Sequence, residues 1–418
     1  MWPPRVPIAT ILSASRGCPP GLGDLARRRY LERSLPAELA RLASAQVALR
    51  EKAGTRLPPG VEWYLDSKGL AQATRWPVAQ ARAAEIDARL PRGARVWDAT
   101  CGLGVDALAL QGRERLLAAS DRAPECARSA HFHLSQHAAD PPVLVASALG
   151  DAVRARYVYV DPDRRSGGGR TLAAESFEPG WAAVLGAART LDGLVCKLPP
   201  SFDPTAVERA WPKGLARAWR WTSHAGELCE VSLWTGDLAA TQPHLRSAEC
   251  IDAAGGVHVL SGPHDPAAAA EVATRAEALQ AAWLCEADPA LTCSGLLGIF
   301  ARSEGLALLG PRSGFLASAR RIQAPFVRCW RVLEAGSADE RVLRERLRRR
   351  DIGAVDVKVR GHALGANELA RRLAGRGERR GLVAIARLAQ GHAAFLLENE
   401  PPDDRDRGGA DPILSRSP

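Results

Sequence analysis

Apolar runs of four to six residues recur through the middle of the chain, at 95–98, 115–120, 142–146, 156–161 and 192–197, and segments of helical period fill the gaps. Runs that short and that uniformly apolar read as strands buried on both faces, and strands alternating with helices build a parallel sheet. Trp219-Arg220-Trp221-Thr222 and 228–234 predict a later hairpin, joined by Ser223-His224-Ala225-Gly226. Ahead of the sheet the pattern is helical. Residues 36–50 carry apolar side chains at helical spacing, Leu57-Pro58-Pro59-Gly60 ends that stretch, and another helix is predicted over 71–88. Beyond 247, strand patterns at 355–360, 381–387 and 392–398 mix with helical ones at 337–350 and 367–374, as in an α+β domain. Residues 399–418 have the proline, glycine and charge content of a disordered tail.

The transition after the first predicted strand carries the chemistry. Val96-Trp97-Asp98 ends in an acid, Gly102 and Gly104 follow at alternate positions, and a helical pattern begins at Asp106. Glycine there lets the backbone take left-handed angles and lets a ligand approach closely, and such a turn at the carboxyl end of a parallel strand is where doubly wound sheets bind nucleotides. The second predicted strand closes on Asp121, at about the spacing where an acid meets the two hydroxyls of a ribose. The third glycine of the dinucleotide fingerprint is missing, so no pyrophosphate cradle is evident. A cofactor with a ribose and no pyrophosphate fits better, and S-adenosyl-L-methionine is the leading candidate.

These residues bring a family into view. Asp98-x-x-x-Gly102-x-Gly104-x-Asp106 resembles the first motif of the class I S-adenosylmethionine-dependent methyltransferases, and Asp121 resembles their second. Asp161-Pro162-Asp163-Arg164-Arg165, then Gly169-Arg170, is similar to the Asp-Pro-x-Arg-Arg signature of bacterial members that carry a THUMP-like C-terminal domain. Segments at 70–75, 226–234 and 355–361 resemble that family's lead-in to the first strand, its last sheet strand and its C-terminal domain, so the likeness covers 40–398. The resemblance implies an α/β, Rossmann-like methyltransferase fold with an N-terminal helical extension over 1–90. The methyltransferase domain would span 91–246, a THUMP-like α+β domain 247–398, and the tail 399–418. It implies S-adenosylmethionine bound by Asp98, Gly102, Gly104 and Asp121, with Gln72 and Thr74 closing over the methionine end.

At the reacting end, Asp161 follows the fourth strand beside the switch point of the sheet, and Pro162 fixes the next turn. These are the predicted catalytic residues. Related amino-group methyltransferases place a proline and an aromatic ring after the acid and proline; here Asp163 and Arg164 stand there, which speaks against base stacking at this loop. Arg164, Arg165 and Arg170 flank Ser166-Gly167-Gly168-Gly169 and suit a phosphate or carboxylate, unless one of them pairs internally with Asp161 or Asp163. Lys197 follows the fifth strand and is expected to line the same crevice on the substrate side. Cys196 beside it would need a second cysteine in the fourth-strand loop to attack a pyrimidine, and none is there, so it reads as a core residue. Asp106 is expected either to contact the cofactor or to cap its helix.

Charge bears on the substrate. The chain carries a formal net charge of +9, with arginine far ahead of lysine, which favours an anionic partner such as RNA. Richness in alanine and glycine offers a second source for the arginine, a GC-rich coding bias. THUMP domains are associated with RNA modification, so the resemblance also implies an RNA substrate. Nine scattered cysteines without a Cys-x-x-Cys pair argue against a disulfide scaffold or a zinc site, and are expected mostly as small buried hydrophobes in a reducing compartment. His133 and His137 lie one helical turn apart with no third ligand near, and a solvated helix face is expected for them; no metal is predicted. No apolar stretch is long enough for a bilayer and none at the start resembles a secretory signal, so a cytoplasmic protein is expected. Two other readings compete. One is a dinucleotide-dependent oxidoreductase, which lacks the third glycine; the other is a non-catalytic RNA-binding protein on a degenerate cofactor fold.

Overall fold

The computed structural model describes residues 7–137, 140–164, 177–208, 211–239, 245–263, 271–310 and 313–399. Its contacts divide the chain into two units, Met1–Ala218 with Val231–Pro243, and Trp219–Glu230 with His244–Pro418.

The first unit opens with three helices, α1 (Ile8–Arg16), α2 (Asp24–Glu32) and α3 (Ala37–Ala53). Ile8, Ile11 and Leu12 of α1 pack against Tyr64, with Leu39, Leu42 and Phe132 around them. Residues 62–66 then run extended, without a partner strand, and lead into α4 (Ser67–Gln72) and α5 (Trp76–Arg89). The sequence predicts one helix across this region. It breaks at 73–75 because Pro77 has no amide hydrogen to donate and fits only the first turn of a helix, so α5 starts afresh there and Ala73 turns extended. Asp66 caps α4 through a 2.7 Å bond from the Gly69 amide.

The sheet follows as predicted, each strand within two residues of expectation: β1 (Val96–Asp98), α6 (Val105–Gln111), β2 (Leu116–Asp121), α7 (Pro124–Leu134), β3 (Val143–Val145) and β4 (Tyr157–Val160). After a two-residue ladder of β5 (Asp163–Arg164) with β6 (Phe177–Glu178) come α8 (Trp181–Thr190), β7 (Gly193–Leu198), α9 (Thr205–Glu208) and a long hairpin of β8 (Arg217–His224) and β9 (Glu227–Gly236). Only Ala225 and Gly226 turn that hairpin, both at positive φ, so its strands run further than predicted, through Ser223-His224. In this unit the strand order is β9-β7-β4-β1-β2-β3, parallel except for β9 against β7. The order reverses between β1 and β4, and the carboxyl ends of those two strands therefore open a crevice. Helices and apolar strands meet around Trp97, Ala99, Ala118 and Val158.

The second unit pairs β10 (Leu245–Ile251) with β11 (Val257–Pro263). It continues with α10 (Arg275–Gln280), β12 (Trp283–Ala287), α11 (Pro289–Ser294), α12 (Leu297–Glu304), β13 (Ala307–Leu308), β14 (Phe315–Ser318), β15 (Val327–Ser337), α13 (Glu340–Arg349), β16 (Ile352–Arg360), α14 (Ala366–Leu373), β17 (Arg379–Arg387) and β18 (His392–Leu397). The seven-stranded sheet has the order β13-β14-β12-β15-β18-β17-β16, parallel only between β16 and β17. Leu343 and Leu347 of α13 and Leu369 and Leu373 of α14 cover one face; Phe315, Trp330 and Phe395 lie in the core of the other. Cys285 and Cys329 face each other across β12 and β15 and form a disulfide, against the expectation of none; the pairing depends on register across a 44-residue gap, which spacing does not reveal. Of the other seven cysteines only Cys101, Cys196 and Cys250 are buried, fewer than expected.

The seam between β7 and β9 sets a prediction. Gly236 is opposite Gly193 at φ +58°, and a Cβ on it would fall 2.0 Å from the Asp192 carbonyl oxygen. Gly236→Ala should therefore cost more than about 2 kcal/mol of stability, read as a lower urea midpoint; an unchanged midpoint would mean that this edge of the sheet is misread.

Candidate active site

The turn between β1 and α6 is tied down on both sides of the crevice. The Ala99 amide donates to the Tyr159 carbonyl at 2.9 Å, the Cys101 amide to the Ser120 carbonyl at 2.8 Å, and the Gly104 amide closes the turn on the Cys101 carbonyl at 2.6 Å. Gly102 and Gly104 both have left-handed φ, +52° and +85°. Their surroundings differ. A Cβ on Gly102 would meet nothing within 4 Å, whereas one on Gly104 would lie 3.3 Å from Ala130 of α7. The first glycine thus leaves room above the turn, and the second lets the turn seat on the neighbouring helix.

Asp121, at the end of β2, accepts from the Gly102 amide at 3.1 Å and from the Ala123 amide at 2.9 Å, which fixes its carboxylate at the lip of the turn. Each oxygen keeps a lone pair for a further donor. Asp98 is sealed instead. It is completely buried, accepts from the Thr100 amide at 3.2 Å, and its Oδ2 has no hydrogen-bond partner. Burial, with Asp106, Asp161 and Asp121 close by, pushes its carboxyl well above the ordinary carboxylate range. Asp98, expected at the cofactor, thus lies beneath the turn in this arrangement.

Across the crevice, the Asp161 amide donates to Thr100 Oγ1 at 2.6 Å, and its carboxylate accepts from Lys197 Nζ at 2.5 Å. Burial raises Asp161, and Lys197 opposes the rise. Lys197 also donates to Thr74 Oγ1 at 3.1 Å. Thr74 in turn donates to Asp106 at 2.7 Å, and Arg82 pairs with the other oxygen of Asp106 while donating to the Tyr159 hydroxyl at 2.7 Å. The chain Asp161–Lys197–Thr74–Asp106–Arg82 is one continuous polar network. Lys197, expected on the substrate side, is engaged here with Asp161 and Thr74, and Asp106 does not cap α6: Arg82 and Thr74 from the N-terminal extension bind its two oxygens. The break between α4 and α5 is what presents Thr74.

Pro162 follows Asp161, and Asp163 is held by Lys68 and Gln72 of α4 at 2.7 and 2.8 Å. Arg164 lies in β5, and Arg165 and Arg170 fall outside the described residues. Cys196 is fully buried, as expected of a core residue. Trp219 and Trp221 are in the core, and Trp181 packs against Phe202 and Trp211.

His133 was expected on a solvated face and is instead completely buried. Its Nε2 accepts from the Tyr64 amide at 2.9 Å, and its Nδ1 faces the Leu103 carbonyl at 2.8 Å, so the ring is neutral with the proton on Nδ1. Helical spacing alone does not tell a buried histidine from an exposed one; the apolar neighbours Ala127, Ala130 and Leu134 on the same face carry the available signal. In the second unit the arginines of helix α13 are partly paired: Arg344 with Glu340, Arg348 with Glu345, and Arg346 and Arg350 both with Glu334 of β15. Among the described residues no helix is long and apolar enough to cross a membrane.

Comparison with known proteins gives the family and the fold. A family model described as THUMP domain-like matches residues 327–399. An uncharacterized S-adenosylmethionine-dependent methyltransferase of Mycobacterium tuberculosis, found in two strains, is 30% identical over 335 residues, spanning 80% of this chain and 87% of the relative. The crystal structure of a candidate methyltransferase from Porphyromonas gingivalis W83 shares the fold, with a TM-score of 0.72 over 93% of this chain and 98% of its own, at 20% identity.

Burial takes the pKa of His133 from 6.5 down to about 4. Between those values the unfolded chain binds a proton that the folded one refuses, so the contribution of His133 to stability is full above pH 6.5 and is lost as pH falls toward 4. The stability gap between the native protein and His133→Gln should narrow by roughly 3 kcal/mol over that interval in urea unfolding. A gap that stays constant with pH would place the neutral imidazole in error.

Proposed function

Because the chain belongs to the class I S-adenosylmethionine-dependent methyltransferases that carry a THUMP-like domain at the C-terminus, we propose that it methylates RNA at the crevice between β1 and β4. The cofactor is S-adenosylmethionine, and the observation that carries the site is the pairing of an open glycine turn with Asp121 fixed at its lip. The free space over Gly102 and the spare lone pairs of Asp121 suit a ribose edge. When bound, this cofactor supplies a methyl group on a sulfonium, whose departure as a neutral thioether needs no acid.

The protein's share is alignment and proton handling. Asp161, held by Lys197 and by the hydrogen bond from its amide to Thr100, would accept the proton that the attacking substrate atom gives up. Lys197 orients that carboxylate. Pro162 sets the direction of the chain beyond it, and Lys68 and Gln72 pin Asp163. Arg164, Arg165 and Arg170 then take substrate phosphate. The RNA assignment is supported by the net charge of +9 and by the THUMP-like match at 327–399. We read 91–246 as the catalytic domain, preceded by the helical extension 1–90 and followed by the THUMP-like domain 247–398 and the tail 399–418.

Two measurements test this. In calorimetry, Asp121→Ala should weaken S-adenosylmethionine by roughly 30-fold, while Asp161→Ala leaves its affinity within about threefold and lowers methyl transfer by at least roughly 100-fold. Mass spectrometry of nucleosides from total RNA of a strain lacking the protein should show one methylated nucleoside missing. An unchanged nucleoside profile would remove RNA as the substrate.

A further inference from the structure

The buried histidine joins two pieces of chain that lack any ladder of their own. On one side is the strap at 62–66. Over residues 62–65 side chains supply its backbone bonds: Gln136 binds the Glu62 amide and carbonyl at 2.8 and 3.1 Å, Gln46 binds those of Leu65 at 2.8 and 2.8 Å, and His133 binds the Tyr64 amide between them. On the other side is the Leu103 carbonyl, flanked by two left-handed glycines with little conformational preference. Leu103 meets the same stretch of chain a second time, since a Cβ on Gly69 of α4 would lie 3.0 Å from its side chain. The ring itself is wedged 4.5 Å from the Trp63 ring and 5.8 Å from that of Phe132, so it cannot serve one partner and swing away from the other.

We propose that His133 is a positioning residue that couples the N-terminal strap to the cofactor turn, so that docking of residues 62–66 and binding of S-adenosylmethionine favour each other. The inference rests on the reading that the turn at 102–104 holds the cofactor. Seating the strap fixes the Nε2 side of the ring; the ring then fixes the Leu103 carbonyl and with it the Gly104 amide of the same peptide plane, which closes the turn on the Cys101 carbonyl. Coupling of this kind is reciprocal: the cofactor must stabilise the strap by as much as the strap stabilises the bound cofactor.

The two ring nitrogens can be separated. A glutamine places its carbonyl where Nε2 lies and keeps the strap bond; an asparagine places its amide where Nδ1 lies and keeps the turn bond. Calorimetry well below each melting temperature should show S-adenosylmethionine weakened about tenfold in both His133→Gln and His133→Asn. Hydrogen exchange should show residues 58–66 protected on adding S-adenosylmethionine in the native protein and not in His133→Asn. Native affinity in His133→Asn, or a strap indifferent to the cofactor, would overturn the coupling and leave a merely structural histidine. If either variant fails to fold, Gln136→Ala loosens the strap from an exposed position and should weaken the cofactor about threefold at an unchanged melting temperature; unchanged affinity there refutes the proposal equally. Failure of the underlying reading looks different: the native protein would not bind S-adenosylmethionine, or Asp121→Ala would bind it as well as the native protein does.

Discussion

Four carboxylates crowd the ends of three adjacent strands, and the site exists because the fold prevents them from all being charged and free at once. Asp98 is driven toward its neutral form by burial and by its neighbours. Asp106 is neutralised by Arg82, and Asp161 by Lys197. Asp121 is held by two amide donors at the lip of the turn. A buried carboxylate without a cation or a proton would cost several kcal/mol, so each of these accommodations is compulsory. Both cations come from outside the cofactor motif. Arg82 belongs to the helical extension and Lys197 to the fifth strand of the parallel array, which makes those elements part of the site and not wrapping around it.

The extension deserves its place in the account for that reason. It contributes Arg82 and Thr74 to Asp106, Lys68 and Gln72 to Asp163, and the strap at 62–66 to His133. A Rossmann-like sheet alone would carry the glycine turn and Asp121; it would not hold the acids at the strand ends in their present states.

What sequence could tell was the part governed by local chemistry. Strand positions followed from short apolar runs, and the glycine turn with Asp121 at the end of the next strand from local spacing. Long-range pairing was not legible. The partners of Asp106 lie 24 and 32 residues upstream, that of Asp161 lies 36 downstream, and the two cysteines of the disulfide meet only through strand register. Reading 71–88 as one helix gave too little weight to Pro77, and that hid the reason Thr74 is presented. His133 was misplaced because a helical period marks faces without saying which of them another segment will cover.

The arginines of α13 show how composition misleads about electrical reach. Counted along the sequence, Glu340–Arg349 and the residue after it hold six arginines. In three dimensions Arg344, Arg346, Arg348 and Arg350 each stand beside a glutamate. Three glutamates thus offset part of the charge of six arginines, and an anion a Debye length away meets a weaker field there than the arginine count suggests. A map of potential would be a muted version of a histogram of arginine.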